Sequence, residues 1–371
     1  MARRKIGKTA VSIKGIIFGK EGTRKSNTAI QIATLKKQNG EPMKVLLLDL
    51  EYKAIEGYNE AYLEEKGVDF ENICEIRTRD LSLISILLDK FTKGNPIPLL
   101  DGNDKIVNGQ YELDSDGNPF IADAIVIDSL SVMQDLLIEG RNEIIKKRAN
   151  IKIMKDGLFG DEKELYLENV GMQFLDYAKL KTKALKIVRD LQACTGKHVF
   201  FVVRAKDAKE SKLVDGKMES IDLGYEIMDA TSFKFLPFEV SLIVHIYKDK
   251  NNNIVYCVDK DTTGVKEQYK KYLDFSIKDY EGFINNSDRK ELLNVKSYSE
   301  NLKNAKDFTD EAEEETDLKL KMYNFIVGVC KTDKEKATEV IKYCKERGLN
   351  LSTPDLVSID DLCEMKKIIE K

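Results

Sequence analysis

The chain has 371 residues, of which 42% are hydrophobic and 33% charged, and its formal net charge is -4. This length accommodates one large α/β domain and a smaller appendage, and the composition is typical of a globular protein with a well-hydrated surface. The acidic balance excludes a positive field over the whole molecule, so any binding of nucleic acid requires a local basic patch.

The spacing of the cysteines and the length of the apolar runs argue against zinc-binding, secreted and membrane-spanning proteins. The six cysteines are scattered without a CxxC pair, and the only histidines are His198 and His245, which argues against a structural zinc site and for reduced thiols. The basic residues at the start of the sequence are followed by no apolar region of signal-peptide type. No run approaches the ~18 apolar residues that cross a bilayer. We therefore expect a cytoplasmic protein with no membrane partner.

Four short apolar runs predict strands that are covered on both faces, as in a parallel sheet. These runs are 13–18, 45–50, 124–127 and 199–203. Helical segments are predicted between and after them, at 27–38, 55–66, 81–91 and 165–195. The alternation of strand and helix favours crossover connections and an α/β fold.

The second half of the chain predicts an edge hairpin and a change of domain. Two runs, 241–247 and 254–259, flank a turn with three asparagines and predict a β-hairpin at the sheet edge. The segment 101–118, rich in Gly, Asn and Asp, predicts a hairpin or excursion. The predicted division is an α/β domain (1–284), an acidic linker (285–317) and a small helical module (318–371).

The strongest local pattern is the octapeptide GKEGTRKS at 19–26, between the first predicted strand and helix. Backbone N–H groups at a helix start surround an anion, a lysine neutralises it and a hydroxyl binds Mg²⁺. An ordinary glycine-rich turn is the alternative. The candidate nucleotide-binding residues are Gly19, Lys20, Glu21, Gly22, Thr23, Arg24, Lys25, Ser26 and Asn27.

Arg24 departs from the phosphate-loop consensus GxxxxGK[ST], because it stands where the second glycine is expected. Arginine has a Cβ and a long charged chain at a point where the backbone normally bends close to phosphate. One hypothesis is that Arg24 limits nucleotide binding and turnover, so that Arg24→Gly raises them. The other is that its guanidinium stabilises phosphate charge, so that Arg24→Gly weakens binding.

Two later strand ends carry acidic residues. The run AIVIDS (124–129) has the form of a Walker B segment, in which Asp128 would hold Mg²⁺ beside Ser26. The run LLLDLE (46–51) ends with Asp49 and Glu51, which are two apart and so project on the same side of a strand. A carboxylate at this sheet edge can act as a general base. The alternative is a pair of solvated charges.

Together these motifs resemble those of RecA-like ATPases over about residues 10–260. Asp49 and Glu51 are similar to the acidic element after the strand next to the P-loop strand, where that superfamily carries its catalytic glutamate. The segment 125–129 resembles its Walker B strand. The segment 198–204 resembles the next strand, which ends in a side chain that senses the γ-phosphate.

The resemblance implies an α/β RecA-like P-loop NTPase core with a mainly parallel twisted sheet, with ATP and Mg²⁺ as its ligands. It implies that Lys25 contacts the β- and γ-phosphates and that Ser26 and Asp128 hold Mg²⁺. Glu51 would be the general base and Arg204 the sensor, matched by position rather than residue type.

Within that superfamily the chain most resembles compact phage NTPases that anneal single strands or mediate recombination. This implies a homo-oligomeric, ATP-hydrolysing protein that binds single-stranded DNA in the cytoplasm of a bacterial host. In such proteins the loop after the sensor strand faces DNA, and here that loop carries lysines and alternating acids. Two basic groups are therefore candidate DNA contacts: Lys206, Lys209, Lys212 and Lys217 in that loop, and Lys146, Lys147, Arg148, Lys152 and Lys155 after the Walker B segment.

Other functions fit the same residues. A nucleotide-gated adaptor with a degenerate P-loop and no role on DNA is the main alternative, and a helicase loader or a motor like a replicative helicase is another. The basic groups could equally be solvated surface. The C-terminal module could dock a protein partner, although packing of its own small core explains its apolar stripes.

Overall fold

Buried apolar strands build a nine-stranded sheet in the N-terminal part of the chain. The structure is a computed structural model that describes residues 12–37, 39–56, 58–194, 196–214, 217–285, 322–347, 349 and 359–370. The strands of the chain are β1 (Lys14–Gly19), β2 (Val45–Asp49), β3 (Ile73–Arg77), β4 (Pro98–Leu100), β5 (Ile106–Tyr111), β6 (Ala124–Asp128), β7 (His198–Val214), β8 (Lys217–Met228), β9 (Leu242–Lys248), β10 (Ile254–Asp261) and β11 (Lys271–Tyr272). Strands β4 and β5 form a separate hairpin that overlaps the predicted segment 101–118, although β4 lies just before it.

Helices connect these strands and form the C-terminal region. They are α1 (Lys25–Ile30), α2 (Tyr58–Glu65), α3 (Leu81–Lys93), α4 (Leu130–Asp156), α5 (Gly160–Asn169), α6 (Phe174–Ala193), α7 (Leu236–Glu239), α8 (Glu281–Asn285), α9 (322–332), α10 (Lys334–Arg347) and α11 (Ile359–Glu370). None of the helices in the described ranges is both long and apolar enough to span a bilayer.

The sheet order is β11-β10-β9-β1-β7-β6-β2-β3, and β8 pairs with β7 outside this path. The run β9-β1-β7-β6-β2-β3 is parallel throughout, β10 and β11 add an antiparallel edge beside β9, and β8 is antiparallel to β7. The α/β architecture with a mainly parallel sheet that the sequence predicted is confirmed, and its strand order is consistent with a RecA-like core. The resemblance placed the strand that ends in Asp49 next to the P-loop strand. In the structure β2 follows β1 in the chain, but β7 and β6 lie between them in the sheet.

Two hydrophobic cores cover the faces of the sheet. Ile16 and Phe18 of β1 point into one core, and Ile17 points into the other. Because both faces are buried, the central strands are continuous apolar runs rather than alternating ones. This explains why the starts of the four strands β1, β2, β6 and β7 could be predicted to within one residue from the sequence, whereas the exposed extension of β7 was missed.

The chain divides into two compact units, Met1–Tyr298 and Ser299–Lys371. The C-terminal helical region predicted from the sequence is present in the second unit. Its helices α9, α10 and α11 share a core of Ile326, Val340, Cys344, Leu362, Met365 and Ile369. The predicted acidic linker lies outside the described residues from position 286 onward, so its boundaries remain a prediction.

Helix boundaries differ from those predicted in two places. The segment predicted as one helix at 165–195 is two helices, because Gln173 and Asp176 form a capping box that begins α6. The helix after the phosphate loop is shorter than predicted: α1 ends at Ile30 and continues as one 3₁₀ turn to Thr34. The long helix α4, in the excursion after β6, was not predicted as an element.

The prediction of a loop after the sensor strand is wrong, because β7 and β8 form a long antiparallel hairpin there. In its register Lys209 lies opposite Asp222 and Lys212 opposite Glu219. Such opposite-charge pairs stabilise a two-stranded ribbon. The alternation of lysines and acids that resembled a solvated loop is therefore the charge pattern of paired strands.

Candidate functional site

The loop between β1 and α1 leaves the sheet at the carboxyl ends of its parallel strands. Gly19 lies between neighbouring strands so tightly that a Cβ there would be 2.0 Å from the carbonyl oxygen of Ile246. Gly22 has φ +69°, the left-handed region that favours glycine. The Thr23 hydroxyl donates a hydrogen bond to the carbonyl of Lys20 at 2.8 Å, which closes the loop on itself. Both glycines of the octapeptide are thus required by backbone geometry.

Arg24 takes the conformation that the missing consensus glycine would supply. Its φ is 64° and ψ 28°, at the N-cap of α1, which costs a residue with a Cβ roughly 1–2 kcal/mol. Its guanidinium lies 4.5 Å from the centroid of the Tyr62 ring on α2. The side chain is therefore directed onto α2, and its contact is an aromatic face.

Lys25 is the first residue of α1 and turns its side chain back into the loop. Its Nζ donates a hydrogen bond to the carbonyl oxygen of Lys20 at 2.8 Å. Burial lowers the pKa of Lys25, while the negative charges of Asp128 and Glu51 oppose this by favouring the charged form. The ammonium thus lies in a partly dehydrated position where it is electrostatically coupled to both acids.

The Ser26 hydroxyl lies beside the Asp128 carboxylate at the sheet edge, close enough to favour its ionised form. Asp128 is 2% exposed. Burial raises its pKa to about 7, the Ser26 hydroxyl works against this, and the nearby charges of Glu51 and Asp49 raise it further. A hydroxyl and carboxylates are the oxygen ligands that Mg²⁺ takes, and a divalent cation would relieve the crowding of acids. The residues present therefore fit a Mg²⁺ site.

The carboxylate of Asp49 is hydrogen-bonded to the backbone. Strand β2 ends at this residue, and its carboxylate accepts hydrogen bonds from the backbone N–H groups of Glu51 at 3.0 Å and Ala54 at 2.9 Å. Glu51 therefore lies in the turn beyond the strand, where the strand alternation used in the sequence argument no longer applies. Asp49 stabilises the turn that presents Glu51.

Glu51 is bonded to two side chains from other strands. Its Oε1 accepts hydrogen bonds from the Ser129 hydroxyl at 2.7 Å and from Arg204 Nε at 2.9 Å. Lys53 Nζ is 3.9 Å from Oε2. Burial raises the pKa of Glu51, but the bond from Ser129 and the charge and bond of Arg204 outweigh it, and the pKa is lowered. Glu51 is therefore ionised near neutral pH.

Three other predicted loop residues have side-chain partners away from these acids. Lys20 Nζ is 2.6 Å from Asp207 and 3.4 Å from Glu226, both on the hairpin. Glu21 pairs with Lys53 at 3.3 Å. The buried Asn27 donates from Nδ2 to Asn59 Oδ1 at 3.1 Å. The side chains of Lys20, Glu21 and Asn27 are thus each paired with a group other than Asp128 or Glu51.

Two residues of the site were missed as functional candidates. Ser129 was seen only as part of the Walker B pattern, yet its hydroxyl holds Glu51. Tyr62 lies on an exposed helix of low amphipathicity and has no signal in the sequence; only the fold brings it to Arg24.

The two candidate basic groups differ in how far their charges are neutralised. On the hairpin Lys206 is bonded to Asp229 at 2.7 Å and Lys212 is 3.1 Å from Glu210. The other group lies on the exposed sides of α4, whose buried stripe is Ile145, Ala149 and Ile153. There Lys146 pairs with Glu143 at 2.9 Å. Arg148 is 3.6 Å from Asp176. Over the described residues, Lys147, Lys152 and Lys155 of α4 form no ion pair, and neither does Lys209 of the hairpin. Because acids alternate with the lysines along the hairpin, α4 keeps the larger net positive charge.

Comparisons with known proteins add little. No protein-family model matches the chain, and no curated protein matches it. Among solved structures, one described as the ATPase domain of G40P aligns with 67% of this chain and 77% of its own chain, at 12% sequence identity and a TM-score of 0.32. The α/β architecture follows from the order and pairing of the strands in the sheet.

Proposed function

We propose that this chain is a RecA-like NTPase that binds Mg-ATP at the β1–α1 loop and hydrolyses it slowly. The observation that carries the proposal is the contact of Ser26 with Asp128, beside the coupled ammonium of Lys25. These groups come from a strand–loop–helix unit and from a strand about one hundred residues later. They have the chemistry that a triphosphate and its metal require.

Each residue has a role in this proposal. Lys25 moves its ammonium from the Lys20 carbonyl to the β- and γ-phosphates. Ser26 and Asp128 hold Mg²⁺, which when bound neutralises phosphate charge. Arg204, already on Glu51, reports the arrival of the γ-phosphate through its own charge.

Glu51 is proposed to accept a proton from the attacking water. Its Oε1 already accepts two hydrogen bonds, so Oε2 is the oxygen proposed to receive the water. A carboxylate whose pKa is lowered is a weaker base, and the pKa of Glu51 is lowered. This is why the proposal is of slow hydrolysis.

The binding step is tested by Lys25→Ala. We expect this change to weaken Mg-ATP binding by about 100-fold, because charge-assisted hydrogen bonds to the phosphates are lost. Lys20→Ala is the matched control in the same loop. Its ammonium pairs with the hairpin, so the control should change affinity far less. Calorimetry giving equal Kd values for Lys25→Ala and the wild type would end the assignment.

The hydrolytic step is tested by Glu51→Gln. An amide keeps the shape and can still accept from Ser129, but it cannot take a proton. We expect Mg-ATP affinity to stay nearly constant while single-turnover hydrolysis falls by about 10²-fold or more, the scale of general-base catalysis. Hydrolysis at the wild-type rate would show that Glu51 is not the base.

We further propose that the protein acts on single-stranded DNA, as a homo-oligomer that promotes annealing or loading. Support comes from the basic sides of α4, where Lys147 and Lys155 lie just over two helical turns apart and within about 80° of each other around the helix axis. The C-terminal module is proposed as a docking site for a protein partner. A backbone-tracking surface of this kind binds more weakly as salt increases.

A nucleotide-gated adaptor without a role on DNA is the second candidate. The observation in its favour is the contact of Glu51 with Arg204 and Ser129, which fixes the carboxylate in one arrangement. A γ-phosphate that draws Arg204 away would change this arrangement without turnover. A wild type that binds ATP, never hydrolyses it and binds no DNA at low salt would establish this candidate.

A further inference from the structure

The phosphate loop reaches α1 through a left-handed residue that is not glycine. Arg24 has φ 64°, a conformation that an arginine holds only where its surroundings stabilise it. The neighbour that provides such a contact is the ring of Tyr62, 4.5 Å from the guanidinium carbon. A guanidinium over an aromatic face is attracted by the negative charge density of the ring.

The backbone of Arg24 is tied to the same part of the molecule. The Thr28 hydroxyl donates a hydrogen bond to the Arg24 carbonyl at 2.8 Å. The Tyr256 hydroxyl lies beside both Thr28 and Tyr62. The side chain and the carbonyl of Arg24 are therefore both close to the same pair of tyrosines.

Helix α2 offers a fixed surface for these contacts. Its Leu63 is fully buried in the core beneath the sheet. Asn59, one turn before Leu63, accepts the hydrogen bond from the buried Asn27 of α1 at 3.1 Å. Tyr62 therefore stands on a helix that is anchored independently of Arg24.

We propose that Tyr62 is a positioning residue for the nucleotide site: its ring holds Arg24 in the left-handed conformation and so maintains the loop that receives the phosphates. The inference rests on the proposed binding of Mg-ATP at this loop. It also changes the expectation for Arg24. A guanidinium that lies on Tyr62 neither fills the phosphate cradle nor binds phosphate. Arg24→Gly should therefore remove both the strained backbone conformation and the contact with Tyr62. Because these two effects oppose each other, the net change in Mg-ATP affinity should be small.

The test is a double-mutant cycle on the full chain with Mg-ATP, measured by calorimetry well below the unfolding temperature. Tyr62→Leu keeps the bulk and removes the aromatic face. We expect it to raise the Kd by about two- to fivefold, the range of an exposed cation–π contact. In the Arg24→Gly background the same change should leave the Kd unaltered, because no guanidinium remains to be held.

Three further variants separate positioning from general packing. Tyr62→Phe keeps the aromatic face and removes only the hydroxyl beside Tyr256, so it should retain the wild-type affinity because the ring is what holds Arg24. Arg24→Met removes the guanidinium without altering α2, and should weaken binding as Tyr62→Leu does, which covers the case in which the leucine variant fails to fold. Tyr166→Leu removes a comparable contact with Lys152 on the α4–α5 excursion and should leave the Kd unchanged.

The outcomes are distinct. Tyr62→Leu with the wild-type Kd, or with the same loss in both Arg24 backgrounds, would overturn the inference alone. A wild type that binds no Mg-ATP would overturn the proposed function, and with it the role given to Tyr62.

Discussion

The two halves of β7 have the same backbone geometry and opposite surroundings. Residues 198–203 run between β1 and β6 and are buried on both faces, whereas 209–212 pair with β8 alone and are exposed. Arg204 lies at the junction and bonds Glu51. One half therefore positions the candidate site through packing, and the other is a ribbon held by backbone pairing and cross-strand charges.

The two halves show that a strand can be predicted from its sequence where both of its faces are buried, and less readily where it is exposed. A half covered on both faces must be apolar throughout, since hydrophobic burial supplies its stability. A ribbon in water needs no apolar side chain, and exposed ion pairs of its kind contribute about 0–1 kcal/mol each. The ribbon does expose Ile221, Leu223, Tyr225 and Ile227, at 38–57% of their surface.

The largest expected difference between the halves is in stability. Phe201 is fully buried, and truncating such a ring to alanine costs about 3–5 kcal/mol. Tyr225, on the ribbon, is 57% exposed, and Tyr225→Ala should change the free energy of unfolding by under about 0.5 kcal/mol. Urea unfolding of both variants measures this. Equal losses would mean that the ribbon is buried against something in solution.

The next difference concerns pH, through His198 at the start of the buried half. Burial lowers its pKa to about 3, and the charge of Lys14 adds to this. Its Nδ1 accepts a hydrogen bond from the backbone N–H of Ile13 at 3.1 Å. The unfolded chain takes up the proton near pH 6.5, so stability is full above that pH and is lost as pH falls toward 3.

Measured between pH 7 and pH 5, His198 should account for a loss of about 2 kcal/mol, which is about 1.5 pH units at 1.36 kcal/mol each. His198→Asn keeps an acceptor that does not titrate near these pH values. The variant should be less stable at pH 7 but lose about 2 kcal/mol less on going to pH 5. Parallel pH curves for the two proteins would show that His198 is protonated in the folded state.

The features that could be predicted from the sequence are those fixed by burial, as in the buried half of β7. The parallel strands and the acids at their ends could be predicted because burial imposes a pattern and because ligand groups follow strand ends in such sheets. The partners of those groups could not be: Glu51 meets Ser129 and Arg204 only through strand order. Likewise nothing local shows that Arg24 reaches Tyr62, since α2 has no strong apolar periodicity.

The ribbon was misread because polar alternation is common to solvated loops and exposed strands. Glycines and acids in this part of the sequence favoured a loop, whereas the register places Asp222 opposite Lys209 and Glu219 opposite Lys212. The pairing that corrects the secondary structure also weakens the case for DNA along this segment. Its lysines are already matched by acids of the same hairpin.

The smallest expected difference, in salt dependence, decides between the two basic surfaces. We compare two triple variants with the same charge change: Lys206, Lys209 and Lys212 to Gln on the ribbon, and Lys147, Lys152 and Lys155 to Gln on α4. For single strands, log Kobs falls with log[salt] by about 0.7 for each phosphate contact. If α4 tracks the DNA backbone, its variant should flatten the slope by about 2. The ribbon variant should leave the slope unchanged, because the acids of the ribbon compete with DNA for the same lysines.

Titration of labelled single-stranded DNA with ATP at several salt concentrations measures both slopes. A flatter slope for the ribbon variant alone would move the DNA path to the hairpin, and would mean that the strand displaces those acids on binding.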